Sequence, residues 1–498
     1  MSIALPLPIE QLYRGLEKNP QGLAAEDADE QISYRELVAR VEALSLALQQ
    51  RHAVGAHIGL CARNHIDHLT AHLAIVAARL VWVPINPKNG ASLNRKLIAK
   101  SLPELILVDR ESLDSLPQCD TSVILLNADS GDHCRAWIEQ YRGQPFSLKL
   151  PSADSVMAIK FTGGTSGEPK GVIQSHANVA SVIANMQALF HFNSADINLA
   201  VAPLSHGSSH YIFPILGAGA RHRLLADAQV DSLVTALAET TVTFMPPTLI
   251  YKLLEQTQLG RDDAPRLRHL TYSAAPMPPE KIAAVIKRFG PVLSTMYGQT
   301  EAPMTITALS AEEMARPDLH ASVGRACLLS EVAVLDAQGK PVAPMHSGDI
   351  AVRGGIVMPS YFQAAEQSTA AFHGDWLITG DLGYLDEQGY LFLQGRNSDL
   401  IITGGFNVYP AEVENALMTL PQINECVVFA AEDGYWGQRI EAAVCLNAGY
   451  TEDNDTLRAS IKPLLGEVKT PKKIHFLESL PRNPVGKIVR RDIQALCN

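Results

Sequence analysis

Residues 161–171 read FTGGTSGEPKG, a stretch in which glycines, hydroxyl side chains and one lysine are crowded together. Backbone amides and hydroxyl groups in such a loop can wrap a phosphate chain, and a lysine can neutralise its negative charge. The stretch therefore predicts a phosphate-binding loop. The expected contacts come from Thr162, Gly163, Gly164, Thr165, Ser166, Gly167 and Lys170.

This loop does not have the sequence of a P-loop, which requires GxxxxGK[ST]. The residues five positions after Gly163 and Gly164 are Glu168 and Pro169, and Lys170 is followed by Gly171. The flanking runs VMAIKF (156–161) and GVIQ (171–174) both have the pattern of strands, whereas a P-loop leads into a helix. We therefore expect a loop that joins two strands.

A second candidate is the segment APLSHGSSHY (202–211), in which His206 and His210 have the spacing of a metal-binding pair on a helix. No carboxylate or third ligand lies near them in the sequence, and Gly207 between them weakens a helical reading. A metal site is accordingly disfavoured. The residues by themselves leave structural histidines as the alternative.

The elements that must position these residues alternate between strands and helices. Short apolar runs occupy 56–62, 80–85, 102–109 and 122–127, separated by segments long enough for a helix. The rhythm returns at RHLTYSAA (268–275), followed by a helix that Gly290 is expected to stop, and then at PVLSTMYG (291–298). This alternation predicts an α/β fold with largely parallel sheets, whose ligands bind at the carboxyl ends of the strands.

The pattern changes after about residue 395. There the sequence predicts, in order, a helix, two strands, a helix and a further strand within roughly a hundred residues, enough for a small α+β domain. The chain of 498 residues is too long for one ordinary core. We expect a large N-terminal α/β domain over 1–395 with several sheets, and a small mobile C-terminal α+β domain over 396–498.

Composition and charge exclude several classes of protein. A net charge of −11 disfavours a nucleic-acid surface, although eight Lys and Arg outnumber two Glu between Lys462 and Arg491. No apolar stretch is long enough for a membrane span, and the N-terminus lacks the basic region of a signal peptide. The seven cysteines are scattered and never in CxxC spacing, which favours a reducing cytoplasm over a disulfide framework or a zinc site.

Six motifs in fixed order resemble the signatures of the adenylate-forming superfamily, which includes acyl-CoA synthetases, activating domains of peptide synthetases and firefly luciferase. The first is FTGGTSGEPKG itself, and the resemblance covers about residues 30–492. The others are TYSAAPMP (271–278), YGQTEA (297–302), DWLITGDLG (375–383), GRNSDLIITGGFNVYPAEVE (395–414) and PRNPVGKIVRR (481–491).

The resemblance implies that a carboxylate attacks the α-phosphate of ATP and expels pyrophosphate, which the glycine-rich loop holds. It assigns Glu301 to Mg²⁺, Thr300 to the α-phosphate and Lys487 to the oxygens of the attacking carboxylate and the phosphate. The other implied roles concern the nucleotide and the acid: Tyr297 and Gly298 beside the adenine, Asp381 and Arg396 on the ribose, Ser273, Ala274 and Ala275 along the adenine and acyl pockets, and His206 as the gate of the acyl pocket.

The resemblance also implies that the small domain alternates between two orientations. One brings Lys487 to the adenylate, and the other replaces it with the loop at Gly404 and Gly405, which admits the acceptor. The pivot position, two residues after Arg396, is usually Asp or Lys in the family, but here it is Ser398, with Asp399 next. This departure bears on the geometry of the second step more than on that of the first.

The expected reaction is conversion of a carboxylic acid to its adenylate and then to an acyl-CoA thioester. Small residues around His206 favour an aryl, alicyclic or medium-chain acid over a charged amino acid, since the sequence points to no carboxylate that would pair with a substrate ammonium. An amide ligase with an amine acceptor is the main alternative, and a carrier-protein ligase or a luciferase-like oxygenase is less favoured. The chain is expected as a monomer or a homodimer.

Overall fold

The computed structural model describes residues 5–163, 168–482 and 488–497, which form a mixed α/β fold with four sheets. The predicted α/β class is thereby confirmed. The α-helices, in chain order, are α1 (Pro8–Lys18), α2 (Tyr34–Gln49), α3 (Ile66–Ala77), α4 (Gly90–Ser101), α5 (Cys134–Tyr141), α6 (His176–Phe190), α7 (Ile212–Ala218), α8 (Val230–Leu237), α9 (Pro247–Gln256), α10 (Pro279–Phe289), α11 (Ala311–Met314), α12 (Ala365–Ala370), α13 (Pro410–Met418), α14 (Asn454–Lys469) and α15 (Arg490–Cys497).

The largest sheet has nine strands, and its centre is parallel. From one edge to the other it runs β15 (Arg325–Ala326), β14 (Ala302–Leu309), β13 (Leu293–Gln299), β12 (His269–Tyr272), β11 (Val242–Met245), β9 (Ile197–Ala200), β10 (Arg221–Leu224), β1 (Leu23–Glu26) and β2 (Gln31–Ser33). The strands from β13 to β1 are parallel to one another, whereas β2, β14 and β15 pair in antiparallel fashion.

A second sheet of six strands carries the glycine-rich loop. Its order is β6 (Ser122–Leu125), β5 (Leu105–Val108), β3 (His57–Cys61), β4 (Val81–Ile85), β7 (Val156–Gly163) and β8 (Pro169–Ser175). Only the β7–β8 pair is antiparallel. The four apolar runs predicted before residue 130 are thus β3 to β6, and the loop joins two strands as expected.

A third sheet of five antiparallel strands follows in the chain. It contains β16 (Ser330–Leu335), β17 (Gly348–Gly354), β19 (Trp376–Leu385) and β18 (Phe372–His373), with β20 (Leu391–Arg396) paired to β19. The register of the last pair sets Asp381 opposite Arg396. Two residues named in different sequence motifs therefore become cross-strand neighbours.

The fourth sheet is built only from residues after 400. Its strands are β22 (Phe406–Val408), β21 (Ile401–Thr403), β24 (Gly437–Leu446) and β23 (Ile423–Asp433), with β25 (Lys473–Phe476) parallel to β24. Buried apolar side chains of this region form their own clusters, around Val428 and Ile440 and around Phe429 and Ile493. The order of helices and strands predicted after residue 395 is observed, while the division at 395/396 stays a prediction.

The sequence predicts a capping box, Ser33-Tyr-Arg-Glu36, at the start of α2 and a stop at Gly290 after α10. The hydroxyl oxygen of Ser33 accepts from the amide of Glu36 at the start of α2, as the cap predicts. The Glu36 carboxylate does not complete a capping box; it pairs instead with Arg40 and Arg142. At the C-terminus of α10, Gly290 ends the helix with a φ of 79°, a conformation that glycine adopts without steric cost.

Candidate active site

The carboxyl ends of neighbouring parallel strands bring the sequence motifs together. His206 follows β9, Ser273 follows β12, and Thr300 and Glu301 form the turn between β13 and β14. Parallel strands that run side by side end at the same edge of a sheet, so residues from distant motifs converge there. The candidate site is therefore a product of topology as well as of sequence.

The described part of the glycine-rich loop is the end of the β7–β8 hairpin. Thr162 lies opposite Lys170, and Gly163 lies opposite Pro169. Gly164, Thr165, Ser166 and Gly167 lie outside the described residues. The hairpin sets Thr162 and Lys170 side by side, as a shared role on one phosphate chain requires.

Glu301 is held by contacts that the sequence motifs did not reveal. The hydroxyl of Tyr361 donates to Oε1 of Glu301 at 2.9 Å, and the ammonium of Lys170 lies 5.2 Å from the centre of the Tyr361 ring. Burial, followed by the charge of Glu301 and this hydrogen bond, raises the pKa of Tyr361, so the hydroxyl stays protonated and keeps its donor. Tyr361 therefore connects the lysine of the loop to the carboxylate expected to bind the metal.

Two further contacts fasten the Thr300–Glu301 turn to the hairpin. Nε2 of Gln174 donates to the carbonyl of Thr300 at 3.0 Å, and the amide of Met358 donates to the carbonyl of Glu301 at 2.7 Å. The segment that contains Met358 and Tyr361 also pairs with β8, since the amide of Phe362 donates to the carbonyl of Gly171. Sequence reasoning missed Gln174 and Tyr361 because neither belongs to a motif that pointed to the site.

The three residues assigned to adenine and ribose form one network. The Tyr297 hydroxyl donates to Oδ2 of Asp381 at 2.5 Å, and Nε of Arg396 lies 2.9 Å from Oδ1 of the same carboxylate. Burial first, and then Asp381, raises the pKa of Tyr297, which keeps its hydroxyl a donor. Asp381 is mostly buried, whereas Arg396 is partly exposed at the end of β20.

Two backbone positions beside Tyr297 are sterically constrained. A Cβ on Gly298 would lie 2.4 Å from the amide nitrogen of Met304, so no larger residue fits without a shift. Ala274, in the turn after β12, has a φ of 74°, which is unusual for a residue other than glycine. Its neighbours Ser273 and Ala275 are buried and half-buried respectively. Such strain occurs where a turn is tightly determined by its surroundings.

His206 stands at the start of the short 3₁₀ helix Gly207–Tyr211. Its Nδ1 lies 3.0 Å from the hydroxyl oxygen of Ser205. Burial and the nearby Lys160 lower the pKa of His206 to about 4, so the ring is neutral at physiological pH. A Cβ on Gly207 would touch the Phe244 ring and the sulfur of Met304, which places these three residues in one wall.

The second histidine of the H-x3-H pair has a different contact. Nε2 of His210 lies 3.1 Å from the ammonium nitrogen of Lys160, a neighbour that is incompatible with a cation at the same nitrogen. Across the described ranges no cluster of three His, Cys, Asp or Glu side chains has the arrangement of a metal site. The Lys160 ammonium beside Nε2 thus argues against a metal ion bound by that nitrogen of His210.

The C-terminal motifs are partly described. Gly404 and Gly405, with φ of 56° and 83°, form the turn between β21 and β22 and are exposed. A Cβ on Gly404 would lie 2.4 Å from the Trp436 ring. The hydroxyl of Ser398 donates to Asp399, whose other oxygen pairs with Arg490 at 2.8 Å. Lys487 lies outside the described residues.

The basic segment from Lys462 to Arg491 is partly neutralised within the fold. Lys462 pairs with Glu467, Lys469 with Glu412, Arg482 with Glu425, and Arg490 with both Asp399 and Glu414. Surface ion pairs of this kind contribute little to stability, but they reduce the net positive charge offered to a ligand. The cluster is a weaker anion site than its sequence indicates.

Comparison with known families gives two matches along the chain. The model described as AMP-binding enzyme matches residues 12–362, and that described as AMP-binding enzyme C-terminal domain matches residues 412–487. In the part of the chain that the structure describes, no helix combines the length and apolar character needed to cross a membrane.

Three individual proteins are each similar to this chain over most of its length. The medium/long-chain-fatty-acid–CoA ligase FadD8 of Mycobacterium tuberculosis is 32% identical over 72% of this chain, and the match spans 64% of the length of that enzyme. The indoleacetate–CoA ligase of Aromatoleum aromaticum is 28% identical over 97% of this chain and 96% of its own. The structure of the amide bond synthetase McbA from Marinactinospora thermotolerans superposes with a TM-score of 0.90 at 26% identity, covering 99% of this chain and 100% of that one.

Proposed function

This chain belongs to the family of AMP-binding enzymes, and from that premise we propose that it activates a carboxylic acid with ATP and transfers the acyl group to coenzyme A. In the first step a carboxylate oxygen attacks the α-phosphorus, and the bond to the departing pyrophosphate breaks. In the second step the thiol loses its proton and attacks the acyl carbonyl, and AMP leaves. An acyl-CoA thioester, AMP and pyrophosphate result.

The observation that carries this proposal is the link between the hairpin and the Thr300–Glu301 turn. Lys170, Tyr361 and Glu301 follow one another in contact, and Gln174 of β8 holds the Thr300 carbonyl. A phosphate chain bound by the hairpin would thus lie beside the carboxylate suited to its counter-ion. Adenylation requires this arrangement because negative charge builds up on phosphate oxygens in the transition state.

We assign nucleotide recognition to Asp381, Tyr297 and Arg396. The Asp381 carboxylate is held by a hydrogen bond from Tyr297 at one oxygen and by an ion pair with Arg396 at the other, and its remaining lone pairs can accept from the two hydroxyls of a ribose. Tyr297 would lie against the base, and Gly298 leaves no side chain between them. The partly exposed Arg396 would close over the sugar from the end of β20. Ser273, Ala274 and Ala275 would line the boundary between the base and the acid.

Glu301 fits the role of a magnesium ligand by its chemistry. Mg²⁺ prefers hard oxygen ligands and is usually held by one or two carboxylates together with substrate phosphates. One carboxylate oxygen of Glu301 accepts from Tyr361, and no described side chain is hydrogen-bonded to the other. When bound there, the ion would neutralise charge on the phosphate oxygens, while Tyr361 fixes the orientation of the carboxylate.

We assign coenzyme A as the acceptor for two reasons, the names of the relatives and the turn at Gly404 and Gly405. FadD8 and the indoleacetate enzyme are both CoA ligases by name. Gly404 and Gly405 add no side chains of their own to this exposed turn, and the Trp436 ring lies beside Gly404. Because Lys462, Lys469, Arg482 and Arg490 of the 462–491 segment are paired with carboxylates, we give that segment a smaller part in binding coenzyme A.

A second candidate acceptor is an amine, which would make the chain an amide ligase. The observation that favours it is the full-length structural likeness to an amide bond synthetase. An amine would attack the same acyl carbonyl, lose a proton and displace AMP. Ser398 at the pivot, with its hydroxyl turned to Asp399, is compatible with both acceptors.

We further propose that residues 1–395 and 396–498 are the two domains, and that Lys487 arrives from the second of them. The separate sheet and core after residue 400 support this division. Contacts between the described residues of the two parts include the polar pairs Lys281–Asn424 and Asn397–Asp349, together with the ion pair between Arg396 and Asp381 at the boundary itself. Such contacts break at low cost when a domain rotates.

We also propose a cytoplasmic location, because the seven cysteines are scattered along the sequence.

The experiment that tests the function is a panel of carboxylic acids incubated with ATP, Mg²⁺ and either coenzyme A or a mixture of amines. Release of pyrophosphate that depends on one of the acids is expected, with the acyl product identified by mass. Hydrolysis of ATP to ADP and phosphate alone would contradict adenylation. A thioester identifies coenzyme A as the acceptor, and an amide formed without coenzyme A identifies the second candidate.

A further inference from the structure

Lys160 is a buried lysine that the assigned reaction does not use. It lies on β7, two residues before Thr162, with 8% of its surface exposed. Its ammonium nitrogen is 3.1 Å from Oγ of Ser209, 3.1 Å from Nε2 of His210 and 5.1 Å from the centre of the Trp82 ring. None of the carboxylates in the described ranges is within ion-pair distance of it.

A buried lysine ammonium is energetically unfavourable unless a counter-charge pairs with it. Removing an ammonium group from water without a counter-charge is strongly unfavourable, and proteins with an unpaired buried charge lower its pKa instead. Burial lowers the pKa of Lys160 to about 7. The amine is therefore balanced between its charged and neutral forms at physiological pH, and an anion beside it would favour the charged form.

The surroundings of Lys160 contain further polar groups without partners. The His72 ring stacks on Trp82 with 3.9 Å between centroids, and neither of its nitrogens has a hydrogen-bond partner among the described residues. Burial lowers the pKa of His72 and of His210 well below the usual range, and Lys160 lowers both further. Both rings are therefore neutral, and the positive charge of this cluster resides on Lys160.

The cluster adjoins the wall expected to face the acid. Ser209, which contacts the Lys160 amine, donates from its hydroxyl to the carbonyl of His206 at 2.6 Å. The same 3₁₀ helix contains Gly207, which packs beside Phe244 and Met304. Thr162 begins the phosphate loop only two residues further along β7, about 7 Å at the rise of a strand. Lys160 is thus near both the acid and the phosphates without belonging to the loop.

We propose that Lys160 binds a second carboxylate on the acid that this enzyme activates, so that the substrate is a dicarboxylic acid. The inference rests on the proposed function, because it names the substrate class of that same site. The remote carboxylate would accept a charge-assisted hydrogen bond from the Lys160 ammonium. The N–H of the neutral His72 ring would supply another donor. Ser209 and His210 would hold the amine in place.

The test compares matched pairs of acids that differ only at the remote end. Straight-chain dicarboxylic acids of four to ten carbons and the benzene dicarboxylic acids are each set against their half-amides and the acids lacking the second carboxylate. The measurement is kcat/KM for acid-dependent pyrophosphate release by the wild-type chain. At least one dicarboxylic acid is expected to exceed both of its partners about 100-fold, as truncation of a buried charge pair costs several kcal/mol.

Lys160→Met retains the length of the side chain but removes the charge, and Lys160→Gln retains a donor. Both are expected to lower kcat/KM for the preferred dicarboxylic acid about 100-fold and to change that for its half-amide less than about threefold. Lys340→Met, at an exposed turn, is the control and should change neither value. Urea unfolding of each variant shows whether it is folded, and the wild-type comparison does not depend on the variants.

The outcomes separate this proposal from the function on which it rests. Pyrophosphate release with monocarboxylic acids that equals or exceeds release with every matched dicarboxylic acid would refute the role of Lys160 while leaving adenylation intact. An equal loss for both members of a pair in folded Lys160→Met would refute it as well and indicate a structural lysine. Failure of every acid to release pyrophosphate would overturn the proposed function and this inference with it.

Discussion

Oε1 of Glu301 accepts a hydrogen bond at 2.9 Å from the hydroxyl of Tyr361, sixty positions later in the chain. The Tyr361 ring also faces the ammonium of Lys170, so one side chain touches both the phosphate loop and the expected metal ligand. The contact depends on the pairing of the segment around Tyr361 with β8, where Val172 and Tyr361 form an isolated bridge. The orientation of Glu301 is therefore set by the strand that follows the loop.

Replacement of Tyr361 by phenylalanine should leave the orientation of the Glu301 carboxylate less fixed. A hydrogen bond to a charged group contributes about 1.5–3 kcal/mol, so kcat for pyrophosphate release should fall roughly 10- to 100-fold. The concentration of Mg²⁺ needed for half-maximal rate should rise, because the carboxylate is no longer held. Tyr450→Phe, at an exposed position, is the control. An unchanged rate and Mg²⁺ dependence would remove Tyr361 from the site.

Lys487→Ala tests the role that the family resemblance assigns. We expect the rate of adenylate formation to fall by about 100-fold or more, since one positive group at the developing charge is lost. Transfer from supplied acyl-AMP to coenzyme A should be largely retained, because the lysine is not needed in the second orientation. Single-turnover assays of each half-reaction measure this, with Lys340→Ala, at an exposed turn, as the control. An equal loss in both halves would argue against alternation of the domains.

His206→Ala should change the choice of acid more than the use of ATP. His206 stands in the wall that Gly207, Phe244 and Met304 share, while the nucleotide residues lie on other strands. The ratio of kcat/KM values between a bulky and a small acid should rise several-fold, with the KM for ATP within about twofold of its original value. His346→Ala is the exposed control. A constant ratio would exclude His206 as the gate.

Gly298→Ala should destabilise the fold and impair nucleotide binding together. The new methyl would lie 2.4 Å from the amide nitrogen of Met304, so β13 and β14 must separate locally. Overpacking of this kind costs about 1–3 kcal/mol, which urea unfolding would measure. Gly434→Ala is the matched control, because a Cβ there meets nothing within 4 Å. Equal stability of the two variants would show that β14 moves aside freely.

Stability should fall between pH 6.5 and pH 4 because several histidines are buried in neutral form. Burial lowers the pKa values of His68, His206 and His222 to about 4, below the value of 6.5 in an unfolded chain. In that interval the unfolded chain binds more protons than the folded one, so acidification favours unfolding. The free energy of unfolding from urea titrations should therefore be full above pH 6.5 and decline towards pH 4.

A variant isolates one of these histidines. His222→Gln cannot take up the proton, so the decline of stability between pH 6.5 and pH 4 should become shallower than in the wild type. Thr451→Gln, at an exposed position without a titrating side chain, is the control and should leave the slope unchanged. If the slope of His222→Gln equals that of the wild type, the pKa of His222 in the folded chain is not lowered.

Much of the fold was predictable because local patterns and tertiary structure agree. The runs that became β3, β4 and β5 are apolar on both faces, as strands of a parallel sheet with covered faces must be, whereas β6 lies at the sheet edge and is partly exposed. Ser33 and Gly290 mark helix ends through their own side chain and backbone freedom, which act within a few residues. By contrast, the Glu36 carboxylate was expected to complete its local cap but pairs with Arg142, more than a hundred positions away.

The sequence by itself determined the family, the order of the elements and the residues whose types suit ATP, because these depend on neighbours along the chain. Only the tertiary structure decided that Tyr361 orients Glu301, that Tyr297 and Arg396 share Asp381, and that Lys160 faces His210. The one available signal for Lys160 was a lysine within the apolar run VMAIKF. Its partners are about fifty positions away, on a 3₁₀ helix brought beside β7 by the packing of two sheets, and such contacts have no signature in local sequence.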